Sequence, residues 1–171
     1  MIYTIGHSTL TADAFADLLA AHQIRQLGDI RTIPKSRRHP HFAGEALDAF
    51  LARHGIVYRH FPELGGLRKP RTDSINTAWQ NDSFRGYADY MQTEAFEHGV
   101  AELLTFAQKG RTAVMCAEAV WWQCHRRLLS DALIVRGVPV LHILSAADPK
   151  PHELSGFARP QAGKVIYPGL L

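Results

Sequence analysis

Cysteine is scarce in this chain. Two residues among 171 are too few for a disulfide scaffold, and the expectation is a reducing, cytoplasmic setting. Long apolar runs are missing too: none approaches the roughly 18 residues of a membrane helix, so no membrane association is expected. The opening MIYTIGHS has neither a basic leader nor a long apolar segment and argues against a signal peptide. Neither G-x-G-x-x-G nor G-x-x-x-x-G-K-[ST] occurs, so nothing supports a dinucleotide fingerprint or a P-loop. A strong charge of one sign is also lacking, the formal net charge being +3.

What remains is an ordinary globular composition, with 46% hydrophobic and 20% charged residues. The length fits one α/β domain over 1–171 with a sizeable core. The charge is unevenly spread. From Arg25 to His41 there are five Lys or Arg residues against one Asp, flanked by His39 and His41. Such a patch attracts phosphate, on nucleic acid or on a small ligand, and is equally compatible with a solvated loop.

Periodicity sorts the chain into alternating elements. IYTIGHS reads as a strand, and TADAFADLLAAH as a helix capped by Thr11 with Phe15, Leu18 and Leu19 on one face. QLGDIRTI is a second strand, PKSRRHPHF a loop, GEALDAFLARHG a helix ending at Gly55, and IVYRHF a third strand. PELGGLRKPRTDSINTAWQNDSF then breaks the alternation, as a binding loop or as connectors around a short helix at SINTAW. FRGYADYM and EAFEHGVAELLTFAQKG are helical, RTAVMC a buried strand, CHRRLLSDALIVRG a helix and VPVLHIL another strand. KVIYPGLL is left as an edge strand or an extended tail.

This order predicts a three-layer α/β/α sandwich around a mainly parallel sheet, Rossmann-like without the dinucleotide fingerprint. Such sheets bind ligands beyond the carboxyl ends of their strands. GHS, DIRTIPKSRR, ELGG and CAE should therefore gather at one edge, and they are the chemically richest stretches of the chain.

Within them, Ser8 at a strand-to-helix junction is a candidate anion contact or a helix cap, and His7 stands beside it as a candidate catalytic group. Asp29 and Arg31 share a strand face: a fixed ion pair, or a base next to a phosphate-binding guanidinium. Lys35, Ser36, Arg37 and Arg38 extend the phosphate candidates, on a loop that Pro34 stiffens.

VMCAEAVWWQCHRR admits several chemistries. Cys116, Cys124 and His125, with Glu118, are zinc or iron ligands by type, but their spacing matches no compact C-x₂₋₄-C pattern. No cofactor is therefore expected, and zinc or iron stays an alternative. Cys124, beside His125 and Arg126 at a helix start, has the setting of a lowered thiol pKa. The plain alternative packs both cysteines as small hydrophobes. Glu118, just past a strand, is the candidate acid or base, including for glycosidic cleavage, and Arg126 a phosphate contact. Trp121 and Trp122 are candidate base-stacking surfaces or packing residues, and Trp79 and Tyr87 are read the same way.

An ordered series of motifs adds a resemblance. TIGHST (Thr4 to Thr9), L-x-D-x-R-x-x-P-x-S-R (Leu27 to Arg37), P-x-F (Pro40 to Phe42) and GIVY (Gly55 to Tyr58) form its first half. ELGG (Glu63 to Gly66), YM-x-T (Tyr90 to Thr93) and MCAE followed by CHR (Met115 to Arg126) complete it. With these the chain resembles the DUF488 family of small bacterial and archaeal proteins over about 2–142, leaving 143–171 as a C-terminal extension. The resemblance implies an α/β fold and a shared pocket, and no reaction. From the residues, the leading expectation is a nucleic-acid- or nucleotide-directed enzyme, a hydrolase or DNA glycosylase cleaving an N-glycosidic or phosphate-linked bond. The alternatives are a non-catalytic binder of nucleic acid or phosphorylated ligands and a cysteine- or metal-dependent enzyme. A monomer and a homodimer are equally compatible with the sequence.

Overall fold

The computed structural model describes residues 1–170. Its first strand, β1 (Ile2–Gly6), is buried along its whole length, as a central parallel strand must be. Helix α1 (Ala12–Ala21) starts where the Thr11 hydroxyl accepts a hydrogen bond from Ala14 N at 3.1 Å. Then follow β2 (Gln26–Asp29), α2 (Gly44–Arg53) and β3 (Val57–His60). Gly55, at φ 70°, makes the left-handed turn that releases α2 into β3. The second half contains α3 (Asp82–Tyr90), α4 (Glu94–Ala107), β4 (Thr112–Cys116), α5 (Arg126–Ile134) and β5 (Val140–His142). Three short strands close the chain: β6 (Lys150–Pro151), β7 (Arg159–Gln161) and β8 (Lys164–Ile166).

The central sheet runs β3-β2-β4-β1-β5-β6, parallel except for β6. Alternation along the strands feeds two cores. Tyr3, Ile5, Ala113 and Met115 meet Phe15 and Leu19 of α1 and Leu47 and Leu51 of α2 on one face. Ile2, Val114 and Cys116 meet Tyr87 of α3, Phe96 and Leu103 of α4 and Leu128 of α5 on the other. This is the three-layer α/β sandwich that the alternating pattern predicts. Since β1 and β4 are neighbours whose following helices leave to opposite faces, a crevice opens at their carboxyl ends.

Local expectations change at several points. The second strand stops at Asp29, short of Ile33, because Arg31 folds back onto the Asp29 carboxylate. No helix forms at SINTAW. Instead the buried Asp89 gathers the loop, accepting from Arg71 N at 2.8 Å, the Ser74 hydroxyl at 2.6 Å and Asn76 Nδ2 at 2.7 Å. Trp79 and Tyr87 are no stacking surfaces: both are buried, Trp79 edge-on to Phe84, Phe157 and Tyr167. Within KVIYPGLL, Lys164–Ile166 forms an edge strand, one of the two expectations, but it pairs with β7 in a separate two-stranded sheet rather than with the central one.

Asp131 in α5 fastens this C-terminal segment. Its carboxylate, buried completely, accepts from His152 Nε2 at 2.7 Å, Ser155 N at 3.1 Å and the Tyr167 hydroxyl at 2.9 Å. Tyr167→Phe would leave one Asp131 oxygen bare, so a loss of about 1–3 kcal/mol is expected. Denaturant unfolding measures it, and an unchanged midpoint would show that the hydroxyl carries no stability.

Candidate functional site

The exits of β1 and β4 are stapled together: His7 N donates to Cys116 O at 3.0 Å and Ser8 N to Ala117 O at 2.9 Å. Gly6 makes the approach feasible, since a Cβ there would lie 1.7 Å from the Glu118 carbonyl oxygen. Ser8 takes a positive φ of 46°, and its carbonyl receives the His7 Nδ1 proton at 2.9 Å. His7 stacks on Phe42 with ring centroids 4.3 Å apart. Burial pulls its pKa down to about 4 against the hydrogen bond to Ser8, with the Arg31 charge lowering it further. It is a neutral imidazole near pH 7.

At the end of β2, Asp29 is fully committed. One oxygen accepts from Arg31 N at 3.1 Å and Arg31 Nε at 2.9 Å. The other accepts from Arg31 NH2 at 2.6 Å and the Tyr58 hydroxyl at 2.6 Å. Arg31 NH2 also reaches Phe42 O at 2.7 Å, which leaves NH1 alone to face His7 Nε2 at 3.4 Å. The geometry fits the fixed ion pair rather than a mobile base. Beyond it Lys35, Arg37 and Arg38 are exposed and, among the described residues, have no carboxylate at ion-pair distance. Ser36 shapes that loop by accepting from His39 N at 2.9 Å.

The end of β4 holds the least ordinary chemistry. Cys116 Sγ and Cys124 Sγ lie 2.9 Å apart and are not bonded. Arg126, at 1% exposure, donates Nε to Cys124 Sγ at 3.2 Å and its backbone N to the same sulfur at 3.4 Å. Its NH2 reaches Glu118 O at 2.5 Å, and its NH1 has no partner among the described residues. No carboxylate there is within ion-pair distance of this guanidinium either. A buried cation needs an anion, and the available one is sulfur. Burial raises the Cys124 thiol pKa, but the hydrogen bond from Cys116 and the Arg126 charge outweigh it and bring it to about 6. Cys116 moves the opposite way, through burial and its hydrogen bond to Cys124, and stays a thiol. The start of α5 adds a favourable field for the thiolate.

His125 closes the floor. Its Nε2 is 2.8 Å from Ile30 O, and a Cβ at Gly66 would sit 2.6 Å from its Nδ1, so the ELGG loop approaches the ring only as glycine. Burial lowers its pKa to about 4 despite the bond to Ile30. These groups surround a cavity of about 920 Å³. His7, Ser8, Arg31, Lys35, Ser36, Arg37 and Arg38 line it together with Cys116, Glu118, Cys124 and His125. Glu118 is exposed, and its carboxylate has no hydrogen-bond partner among the described residues.

Three residues singled out from the sequence stand elsewhere. Arg126 lies beneath the sulfurs rather than on the cavity wall. Trp121 stacks on His142 at 4.2 Å and 5°, and the exposed Trp122 stands edge-on to it outside the cavity. No group of three His, Cys, Asp or Glu residues forms a metal-holding cluster among the described residues. Two contributors were missed, Tyr58 and the apolar lip of Ile33 and Leu67, whereas His39 of the basic patch does line the cavity. Tyr58 had a signal, its place in GIVY beside the second strand, whereas Leu67 had none.

The model of a family described as a domain of unknown function, DUF488, matches residues 11–133. No curated protein and no solved structure matches the chain.

Two pH dependences follow from these groups. Alkylation of Cys124 by iodoacetamide should rise through a midpoint near pH 6, and a midpoint near 9 would remove the thiolate. His7 and His125 at about 4, and His142 at about 3, resist protons that the unfolded chain takes up near 6.5. The unfolded state therefore binds more protons below that pH, and stability should fall as pH drops from 6.5 toward 4. Thermal unfolding across that range checks it, a flat profile being the contrary result.

Proposed function

The chain belongs to the DUF488 family, and on that footing we propose that it is an enzyme acting on phosphate-bearing substrates of the nucleotide or nucleic-acid class through the Cys124 thiolate. The observation that carries the reading is the anion of Arg126: at the cavity floor a cysteine sulfur occupies the place a carboxylate would normally take. A thiolate held at neutral pH is a nucleophile ready for covalent catalysis. Above it, Lys35, Arg37 and Arg38 offer cationic groups suited to phosphate oxygens.

The chemistry that fits is displacement at phosphorus. Cys124 Sγ attacks the phosphate, the bond to the leaving oxygen breaks, and that oxygen takes a proton from Glu118 as acid. Water then cleaves the sulfur–phosphorus bond with Glu118 as base, restoring the thiolate. Free thiols of this kind fit a reducing compartment such as the cytoplasm.

A second reading is favoured by Glu118 itself, an unpartnered carboxylate lining the cavity. It would act alone as acid or base in cleaving an N-glycosidic bond, with the sulfurs structural. Turnover of a panel of nucleotides and oligonucleotides separates the readings. Cys124→Ser should lower turnover by about a thousandfold or more, and protein alkylated at Cys124 should match it without any change of sequence. Glu118→Gln should slow turnover while leaving substrate binding largely intact. Full activity after Cys124 alkylation with loss in Glu118→Gln would transfer the chemistry to Glu118. Salt-sensitive binding with no product from any panel member would leave a binding module.

A further inference from the structure

The thiolate has a second thiol against it that displacement at phosphorus leaves unused. Cys116 and Cys124 are the chain's whole cysteine content, come from the two ends of the β4–α5 connection, and both line the cavity. Their sulfurs are 2.9 Å apart, and a disulfide bond measures about 2.05 Å, so bond formation needs closure of less than about 1 Å. Cys124 Sγ accepts from Arg126 Nε at 3.2 Å, and Cys116 Sγ lies against it. That is the asymmetry an attacking and a resolving cysteine require.

We propose that Cys116 and Cys124 form a thiol–disulfide exchange centre acting on disulfides of anionic thiols. The proposal rests on the reading of Cys124 as the cavity's thiolate. Cys124 Sγ attacks one sulfur of the substrate, the substrate S–S bond breaks, and the first thiolate leaves. Cys116 gives its proton to a released thiolate and its sulfur attacks Cys124 Sγ. The mixed disulfide breaks, the second thiolate leaves, and a Cys116–Cys124 disulfide remains. The substrate gains two electrons and the cysteine pair loses two. A second dithiol of the surrounding compartment, reacting in the reverse order, resets the pair.

Cavity and counterion define the substrate and the direction. Lys35, Arg37 and Arg38 at the mouth select a disulfide carrying carboxylates or phosphates, and the exposed Ile33 and Leu67 on the lip suit an apolar or aromatic portion. Oxidation also consumes the anion of the buried Arg126. The reduced state is stabilised by that ion pair and the disulfide state lacks it, so the disulfide is readily reduced. Oxidised protein should then unfold at a lower temperature than reduced protein, opposite to the usual effect of a disulfide.

The test uses the full chain and 5,5′-dithiobis(2-nitrobenzoate), an aromatic disulfide with two carboxylates. Wild type should release two nitrothiolates per chain and lose two hydrogens in mass with no adduct retained. Cys116→Ser should release one and keep the mixed disulfide. Arg37→Glu combined with Arg38→Glu should slow the reaction about tenfold or more, and slow the reaction with neutral 4,4′-dithiodipyridine by a much smaller factor. A single release with a stable adduct on wild type would overturn the exchange centre and leave the thiolate reading standing. No reaction with either disulfide at pH 7 would remove both. A higher melting temperature for the oxidised protein would overturn the role given to Arg126.

Discussion

The pairing of β1 with β4 is the constraint on which the site depends. The two strands lie side by side in parallel register from Tyr3 opposite Ala113 to Gly6 opposite Cys116. α1 then leaves on one face of the sheet and α5 on the other, so no helix crosses the gap between their ends. Backbone bonds from His7 and Ser8 to Cys116 and Ala117 hold the gap at fixed width. Everything polar in the cavity is measured from that seam.

Two buried arginines flank the seam, and their anions differ. Arg31 is neutralised by a carboxylate whose remaining capacity is filled by Tyr58, which produces a rigid wall. Arg126 donates to the Cys124 sulfur and has no carboxylate at ion-pair distance among the described residues. The first pair organises the basic loop, and the second holds a cysteine sulfur at the floor. Burial keeps His7 and His125 uncharged at neutral pH, so the cavity's positive charge comes from Lys35 and the arginines.

Much of the fold was legible from local rules. Thr11 before an apolar stripe, Gly55 after one, and the buried run TAVMC each have a short-range cause. The same alternation located the strand ends and hence GHS, DIR, ELGG and CAE at one edge. Local rules failed where the cause is distant. For Trp79 they left base stacking and packing equally open, and it is Phe157 and Tyr167, some 80 residues away, that enclose it. The clamp that Asp131 forms with His152, Ser155 and Tyr167 draws on residues with no common motif.

The sequence by itself determined the class of fold, the edge at which the chemistry collects and the residue types available there, because periodicity and punctuation act over a few residues. Only the tertiary structure decided which group meets which. The spacing of Cys116 and Cys124 matches no compact ligand pattern, and their contact exists because the connection folds back until Arg126 lies under the sulfurs. Asp29 and Glu118 are both carboxylates after a strand, but one is buried and saturated while the other is exposed and unpartnered. Burial and the choice of counterion are properties of the assembled layers, and they are what shifts His7, His125 and Cys124 from their ordinary values.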